Sequence, residues 1–297
     1  MSQKHPIVAL ARPSGALTPV VMDSFQHVFR RKKINPAVVE GESFHRFSRT
    51  KMKIELEKAA KNGNQHFSHF GPEANLFAEL EELFRCYSEN GTGQRRHYLH
   101  SQADVDEAGI EGLLPGDFTP WEALPEKSDL LFYQGLHGCV VSEDADVARY
   151  VDLKLGIVPI INMEWIQKIH RDTSQRGYSE EAVIDTILRR MHDYVHYLIP
   201  QFQRTDINFQ LVPAVDTSDP FYAKKVPAVD ECVIVIRFSN PEKFGIDFPF
   251  LLSKISNSWM SRRNSIVVPG GKMGLAMELI LTLTLGQLMD ASQSSQS

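Results

Sequence analysis

The sequence predicts an α/β protein with a mixed or mostly parallel sheet and helices on both faces, built on a P-loop layout. Three observations point there. Short apolar runs alternate with segments of helical period along the whole chain. The first run, Ile7–Ala11, is followed by a Pro-Ser-Gly turn and then by an amphipathic helix opened by Pro19, the strand–loop–helix order of a phosphate-binding loop. No linker is long enough to divide the chain, so residues 1–290 read as a single domain and 291–297 as a disordered polar tail.

Each element has its own signal. Pro19–Lys33 carries an apolar stripe at Val21, Met22, Phe25, Val28 and Phe29, and ends in a basic turn that suits the helix dipole. Ala37–Val39 reads as a second buried strand and Arg49–Lys61 as a charged helix. Glu73–Asn90 reads as a strong amphipathic helix stopped by Gly91. Arg96–His100 reads as a strand, and Glu111–Lys127, rich in Pro and Gly, as irregular loop. Leu130–Tyr133 and Leu153–Ile161 are apolar enough for buried strands. Asn162–Arg171 reads as a helix, and Ser179 caps another that runs to about Leu198. Val233–Phe238 and Ser265–Val268 read as strands, and Gly274–Met289 as the last helix.

Composition narrows the function classes. With 42% apolar and 23% charged residues among 297, the chain has an ordinary globular balance, and its net charge of −5 argues against a nucleic-acid or membrane-surface protein. Three cysteines (Cys86, Cys139 and Cys232), widely spaced, fit a reducing cytoplasm and no structural zinc. The polar start, Ser2–Pro6, is unlike a secretory leader. Met273–Met289 is shorter than a membrane span needs and contains Glu278. His192 and His196 sit one helical turn apart with no third ligand in view, which favours a structural role.

Several strings resemble bacterial phosphoribulokinases: EGESFHRFSR (40–49), HFSHFGPEANLFAELE (66–81), LLFYQGLHG (130–138), INMEWIQKIHRDTSQRGY (161–178), LRRMHDYV (188–195) and VDTSDPF (215–221). The likeness runs in order from about residue 4 to 289. It implies a nucleoside-monophosphate-kinase-like P-loop fold, large homo-oligomers, NADH and AMP as effectors, and transfer of a phosphoryl group from MgATP to ribulose 5-phosphate.

The resemblance also implies roles for particular residues. The family's P-loop reads approximately GSSGAGTS, where this chain has Arg12, Pro13, Ser14, Gly15, Ala16, Leu17, Thr18 and Pro19. Arg12 and Leu17 replace glycines whose backbone freedom shapes the loop. Pro19 takes the place of the hydroxyl that ligates magnesium, and Pro13 and Pro19 remove two N–H groups. At the catalytic-base position the family's aspartate becomes Glu42, one methylene longer. At the metal-binding acid the family's glutamate becomes the neutral Gln134. The remaining positions match: His45, Arg49, Tyr98, His100, Arg171 and Arg176 as substrate-binding residues; Lys168 and Asp172 as catalytic groups; and Arg31, Arg237 and Arg262 as effector-binding arginines.

The changes fall on nucleotide, metal and base positions, while the substrate-side strings are retained. The sequence therefore predicts a pseudoenzyme of this family that no longer phosphorylates ribulose 5-phosphate and acts as a sugar-phosphate- or effector-binding regulatory subunit. The alternatives are an active kinase of the carbon-fixation cycle, converting ATP and ribulose 5-phosphate to ADP and ribulose 1,5-bisphosphate, and a structural subunit of a hetero-oligomer. No cofactor is expected to bind tightly on the first reading; the active alternative needs magnesium and ATP. The expected partners are a sugar phosphate, NADH or AMP, and further copies of the chain or an active paralogue.

Overall fold

A computed structural model describes residues 4–13, 18–174 and 176–296. In chain order the elements are β1 (Ile7–Ala11), α1 (Thr18–Lys32), β2 (Pro36–Glu40), a 3-10 turn (Gly41–Phe44), α2 (Arg49–Lys61), α3 (Phe77–Asn90), β3 (Gln94–Arg95), α4 (Gln102–Ala108), β4 (Glu122–Ala123), β5 (Leu130–Gly135) and β6 (Leu153–Val158). They continue with α5 (Ile161–Ser174), α6 (Glu180–Asp193), a π-helical turn (Tyr194–Leu198), α7 (Ile199–Arg204), β7 (Ile207–Pro213), β8 (Cys232–Phe238), α8 (Phe248–Lys254), β9 (Trp259–Arg262), β10 (Ser265–Pro269) and α9 (Met273–Gln296). This is the mixed α/β architecture, strands flanked by helices, that the alternating pattern predicts. The chain divides into two compact units.

The first unit comprises residues 4–11, 36–153 and 189–204. Its strands run parallel in the order β2-β5-β1, with Ala37 opposite Leu131 and Leu131 opposite Ile7. Every residue of β1 is buried, as its unbroken apolar run requires. Ile7, Ala9, Ala37, Val39, Leu131 and Tyr133 pack in one core with Phe77, Leu80, Leu83, Phe84 and Tyr87 of α3, whose apolar residues recur at helical spacing. Gly91 closes α3 at φ +69°, a left-handed conformation that disfavours a side chain. Asp152 ties down the start of β1 by accepting the Ile7 N–H at 2.9 Å.

The second unit comprises residues 12–35, 154–188 and 205–296 as far as they are described. Its strands follow the order β6-β7-β8-β10-β9: β6 and β7 are parallel, and the remaining pairs are antiparallel. Helix α9 lies along α1, joined by His27 Nδ1 to Glu278 Oε1 at 3.0 Å and by a hydrogen bond from Arg31 to Thr282. By length and composition α9 could cross a membrane, yet Ala276, Met277, Ile280, Leu281 and Leu285 are completely buried, as in the core helix of a globular protein.

Several elements depart from the sequence reading. Helix α3 starts at Phe77 rather than Glu73, because Pro72–Ala74 forms a 3-10 turn and Asn75 is extended at φ −129°. Arg96–His100 makes one isolated bridge, Tyr98 to Phe118, instead of a strand. Helix α4, unread in the sequence, carries a capping box in which Ser101 and Asp104 bond each other's backbone N–H. Strand β7 is a further element beyond the sequence reading; Ile207, Phe209 and Leu211 alternate with half-buried residues along it. The helix begun at Ser179 continues through Arg204 with a π-helical turn in its course. The expected disordered tail is helical as far as Gln296; Ser292 is buried, and Ser294 Oγ donates back to the Asp290 carbonyl at 2.9 Å.

Candidate active site

The carboxyl ends of β2 and β5 carry the two predicted motifs side by side. Glu40 lies opposite Gln134 in the parallel ladder. The residues that follow, Gly41 and Gly135, touch backbone to backbone: a Cβ on Gly135 would sit 2.7 Å from the Gly41 Cα, and one on Gly41 would sit 2.3 Å from the Tyr133 hydroxyl. Only glycine fits at either position. This contact sets where the 3-10 turn begins and hence where Glu42 projects.

Four predicted substrate-side residues gather around Glu42 within the first unit. His100 Nε2 lies 2.7 Å from Glu42 Oε2, with both side chains about half exposed. Tyr98 stands edge-on to His100, ring centroids 4.9 Å apart, and edge-on to His45 at 6.2 Å. Arg49, at the start of α2, donates to the His100 carbonyl at 2.9 Å and lies 5.9 Å from the Tyr98 ring centroid. Local backbone bonding holds the cluster: His45 bridges to Asn75, and Arg49 N–H donates to the Gly116 carbonyl at 2.8 Å.

The electrostatics divide the histidines. His45 is buried, and its pKa falls to about 4, chiefly through desolvation. His137 is pushed down to about 3 and His69 well below its ordinary value, again mainly by burial. His100 moves the other way. Its hydrogen bond to Glu42 raises its pKa, with further help from the charges of Glu42, Glu40 and Asp104.

Sequence reasoning missed Arg96. Its guanidinium donates to the carbonyls of Ser43 at 2.8 Å and His45 at 2.6 Å, and stacks 3.8 Å from the Phe118 ring centroid. The string Arg95-Arg96-His97 gives no periodic cue that singles out one of its cations. Also missed were Ser43 Oγ and His69 Nδ1, buried and without a hydrogen-bond partner among the described residues. Polar atoms in that state call for a water or a ligand.

Lys168, Arg171, Asp172 and Arg176 converge in the second unit. The Asp172 carboxylate is 5% exposed; it accepts from Lys168 on Oδ2, and on Oδ1 meets Arg171 Nε at 3.1 Å and Arg176 Nη1 at 3.2 Å. Burial alone would raise its pKa, but the bonds and charges of Lys168 and Arg171 hold it below the usual carboxylate range. Helix α5, which carries three of these residues, is anchored by the Trp165–Phe221 ring stack and by His170 donating to the Ala223 carbonyl at 2.8 Å.

Of the predicted nucleotide loop, Ser14, Gly15, Ala16 and Leu17 lie outside the described residues. Arg12 and Pro13 follow β1, and Thr18 and Pro19 begin α1, so a strand precedes the predicted loop in the chain and a helix follows it. The donor set does not fit a carboxylate-held magnesium at Gln134, which offers only an amide. Among the described residues no three His, Cys, Asp or Glu side chains are grouped to hold a metal. The predicted effector arginines are split. Arg31 bonds Thr282 of α9, whereas Arg237 and Arg262 both pair in register with Ser265, one on each side of it.

Comparison with known proteins identifies the family of the chain. The sequence profile of the phosphoribulokinase / uridine kinase family matches residues 7–218. The chain is 57% identical to the chromosomal phosphoribulokinase of Cupriavidus necator over 98% of both chains. It is 53% identical to phosphoribulokinase 2 of Cereibacter sphaeroides over the full length of both. Its fold matches the solved phosphoribulokinase from Rhodobacter spheroides with a TM-score of 0.88 and 51% identity, covering 98% of this chain and 99% of that one. The chain belongs to the bacterial phosphoribulokinase family.

Proposed function

We propose that the chain is an ATP-dependent kinase acting on ribulose 5-phosphate, with magnesium accompanying the nucleotide as in the family. The observation that carries this reading is the assembled acceptor cluster of Glu42, His45, Arg49, Tyr98 and His100, placed by the interlocked glycines. High identity to relatives named as phosphoribulokinases supports this reading over the inactive one. A phosphoryl-transfer site works mainly by positioning and by charge stabilisation. The acceptor side supplies the first. Within the second unit, Lys168, Arg171 and Arg176 place three positive charges around a single carboxylate, the kind of cluster that serves charge stabilisation.

A second reading, a sugar-phosphate-binding subunit without turnover, is favoured by Gln134 and Pro19, which remove two magnesium ligands, and by Arg12 and Leu17 in the loop. On either reading Arg237 and Arg262 are candidates for contact with an anionic effector such as NADH or AMP, and further copies of the chain are its expected assembly partners. The free thiols of Cys86, Cys139 and Cys232 suit the cytoplasm.

The test is a coupled assay of ADP release with MgATP and ribulose 5-phosphate. It compares the wild type with a variant combining Arg12→Gly, Leu17→Gly, Pro19→Ser, Glu42→Asp and Gln134→Glu. Substrate-dependent turnover by the wild type is the expected result. Turnover only in the variant, with ribulose 5-phosphate binding to the wild type by calorimetry, would decide for the second reading.

A further inference from the structure

Glu42 stands where the family places its catalytic base, yet the structure commits one of its oxygens elsewhere. Glu42 Oε2 and His100 Nε2 are 2.7 Å apart, the length of a charge-assisted N–H···O bond. That bond makes Nε2 the protonated nitrogen and leaves Nδ1 with the lone pair. Nδ1 makes no hydrogen bond to any described residue, and the side chain is half exposed. The ring is held in place: the Tyr98 edge packs on it at 4.9 Å, its own backbone N–H donates to Asp104 Oδ2 at 2.7 Å, and Arg49 grips its carbonyl at 2.9 Å. A carboxylate that orients an imidazole through one nitrogen, leaving the other to take a proton, is the arrangement of a general-base dyad.

We infer that in this chain His100 is the general base for the acceptor hydroxyl and Glu42 its orienting carboxylate, an assignment that rests on the kinase reading above. The extra methylene of Glu42 makes the pairing possible. An aspartate would fall short by roughly one carbon–carbon bond, about 1.5 Å, and would leave the imidazole unheld. In the step itself the hydroxyl proton passes to His100 Nδ1. The oxygen lone pair forms the new O–P bond to the terminal phosphoryl group of the nucleoside triphosphate. The bond to the leaving diphosphate breaks, and the diphosphate keeps the electron pair. The resulting imidazolium is balanced by Glu42 and returns its proton to water from its exposed side.

The charged groups facing His100 are Glu42 from the 3-10 turn, Glu40 from β2, Asp104 from α4 and Arg49 from α2, with the neutral His45 nearby. The three carboxylates keep its pKa above the ordinary 6.5. Activity must then rise with pH through a near-neutral limb, which a carboxylate base, titrating near 4, would not produce.

The experiment is a pH profile of kcat and kcat/KM for the wild type, His100→Asn and Glu42→Gln, with nuclear magnetic resonance titration of the His100 ring. The wild type should show an acid limb above pH 6.5. Glu42→Gln should keep measurable turnover and move both that limb and the ring titration to lower pH. His100→Asn should lose kcat by about 10²–10⁴-fold with little change in KM, and added imidazole should restore part of the rate in His100→Ala. A limb near pH 4, or a larger loss in Glu42→Gln than in His100→Asn, would overturn the assignment while leaving the kinase reading intact. Absence of wild-type turnover at every pH would overturn both.

Discussion

Arg176 Nη1 reaches Asp172 Oδ1 at 3.2 Å, although the arginine side chain is more than half exposed and the carboxylate is almost fully buried. With Lys168 and Arg171 on the same carboxylate, Asp172 is the point that collects these cations. Both of its oxygens are engaged, and it holds the three cations together. Asp172→Asn should therefore lower stability by on the order of 3 kcal/mol, read as a shift in the urea midpoint. It should also weaken binding of an anionic probe such as tripolyphosphate. The folded-state pKa of Asp172 is depressed, so its contribution is complete above the unfolded carboxylate value and is lost as pH falls through the folded one. Unchanged polyphosphate affinity in the variant would mean that the cations hold their places without it.

Gly135 and Gly41 are the second constraint. A methyl group on Gly135 would meet the Gly41 Cα at 2.7 Å, and backbone cannot give way as a side-chain tip can. Gly135→Ala should cost about 1–3 kcal/mol of stability and should lower kcat more than that loss explains, because the strands must part directly before Glu42. A displacement near 1 Å is enough for about 100-fold in rate. Equal kcat in folded Gly135→Ala and wild type would argue against the glycine contact as the register of the site.

Buried neutral histidines should make the fold acid-sensitive. His45 titrates near 4 and His137 near 3 in the folded chain, whereas in the unfolded chain both take up protons near 6.5. The unfolded state therefore binds more protons below 6.5. Stability from these groups is complete above that value and is lost as pH falls toward 4 and 3. His100 has the opposite sign and contributes below 6.5. Unfolding free energies measured at pH 7, 6 and 5 should decline, and His137→Gln should flatten the slope by about one proton.

Much of this was legible in the residues. The buried run Ile7–Ala11, the α1 stripe and the Phe77–Tyr87 face each state their environment through hydrophobic period, which is local information. Strand β7 and helix α4 carry equally local signals, alternation and a capping box, each too short to stand out from its surroundings. The family strings identified the members of the site, because side-chain chemistry at fixed spacing survives in one dimension.

The sequence by itself determined the alternating α/β pattern and the family, through hydrophobic period and family strings that are local. Only the tertiary structure decided what Glu42 meets. His100 is 58 positions beyond Glu42, and nothing local couples them. The Gly41–Gly135 contact places the 3-10 turn, and the Tyr98–Phe118 bridge delivers the imidazole. Pairwise distance is set by strand register and loop closure, which depend on the whole unit folding, and that is why the partner of Glu42 becomes visible only in three dimensions.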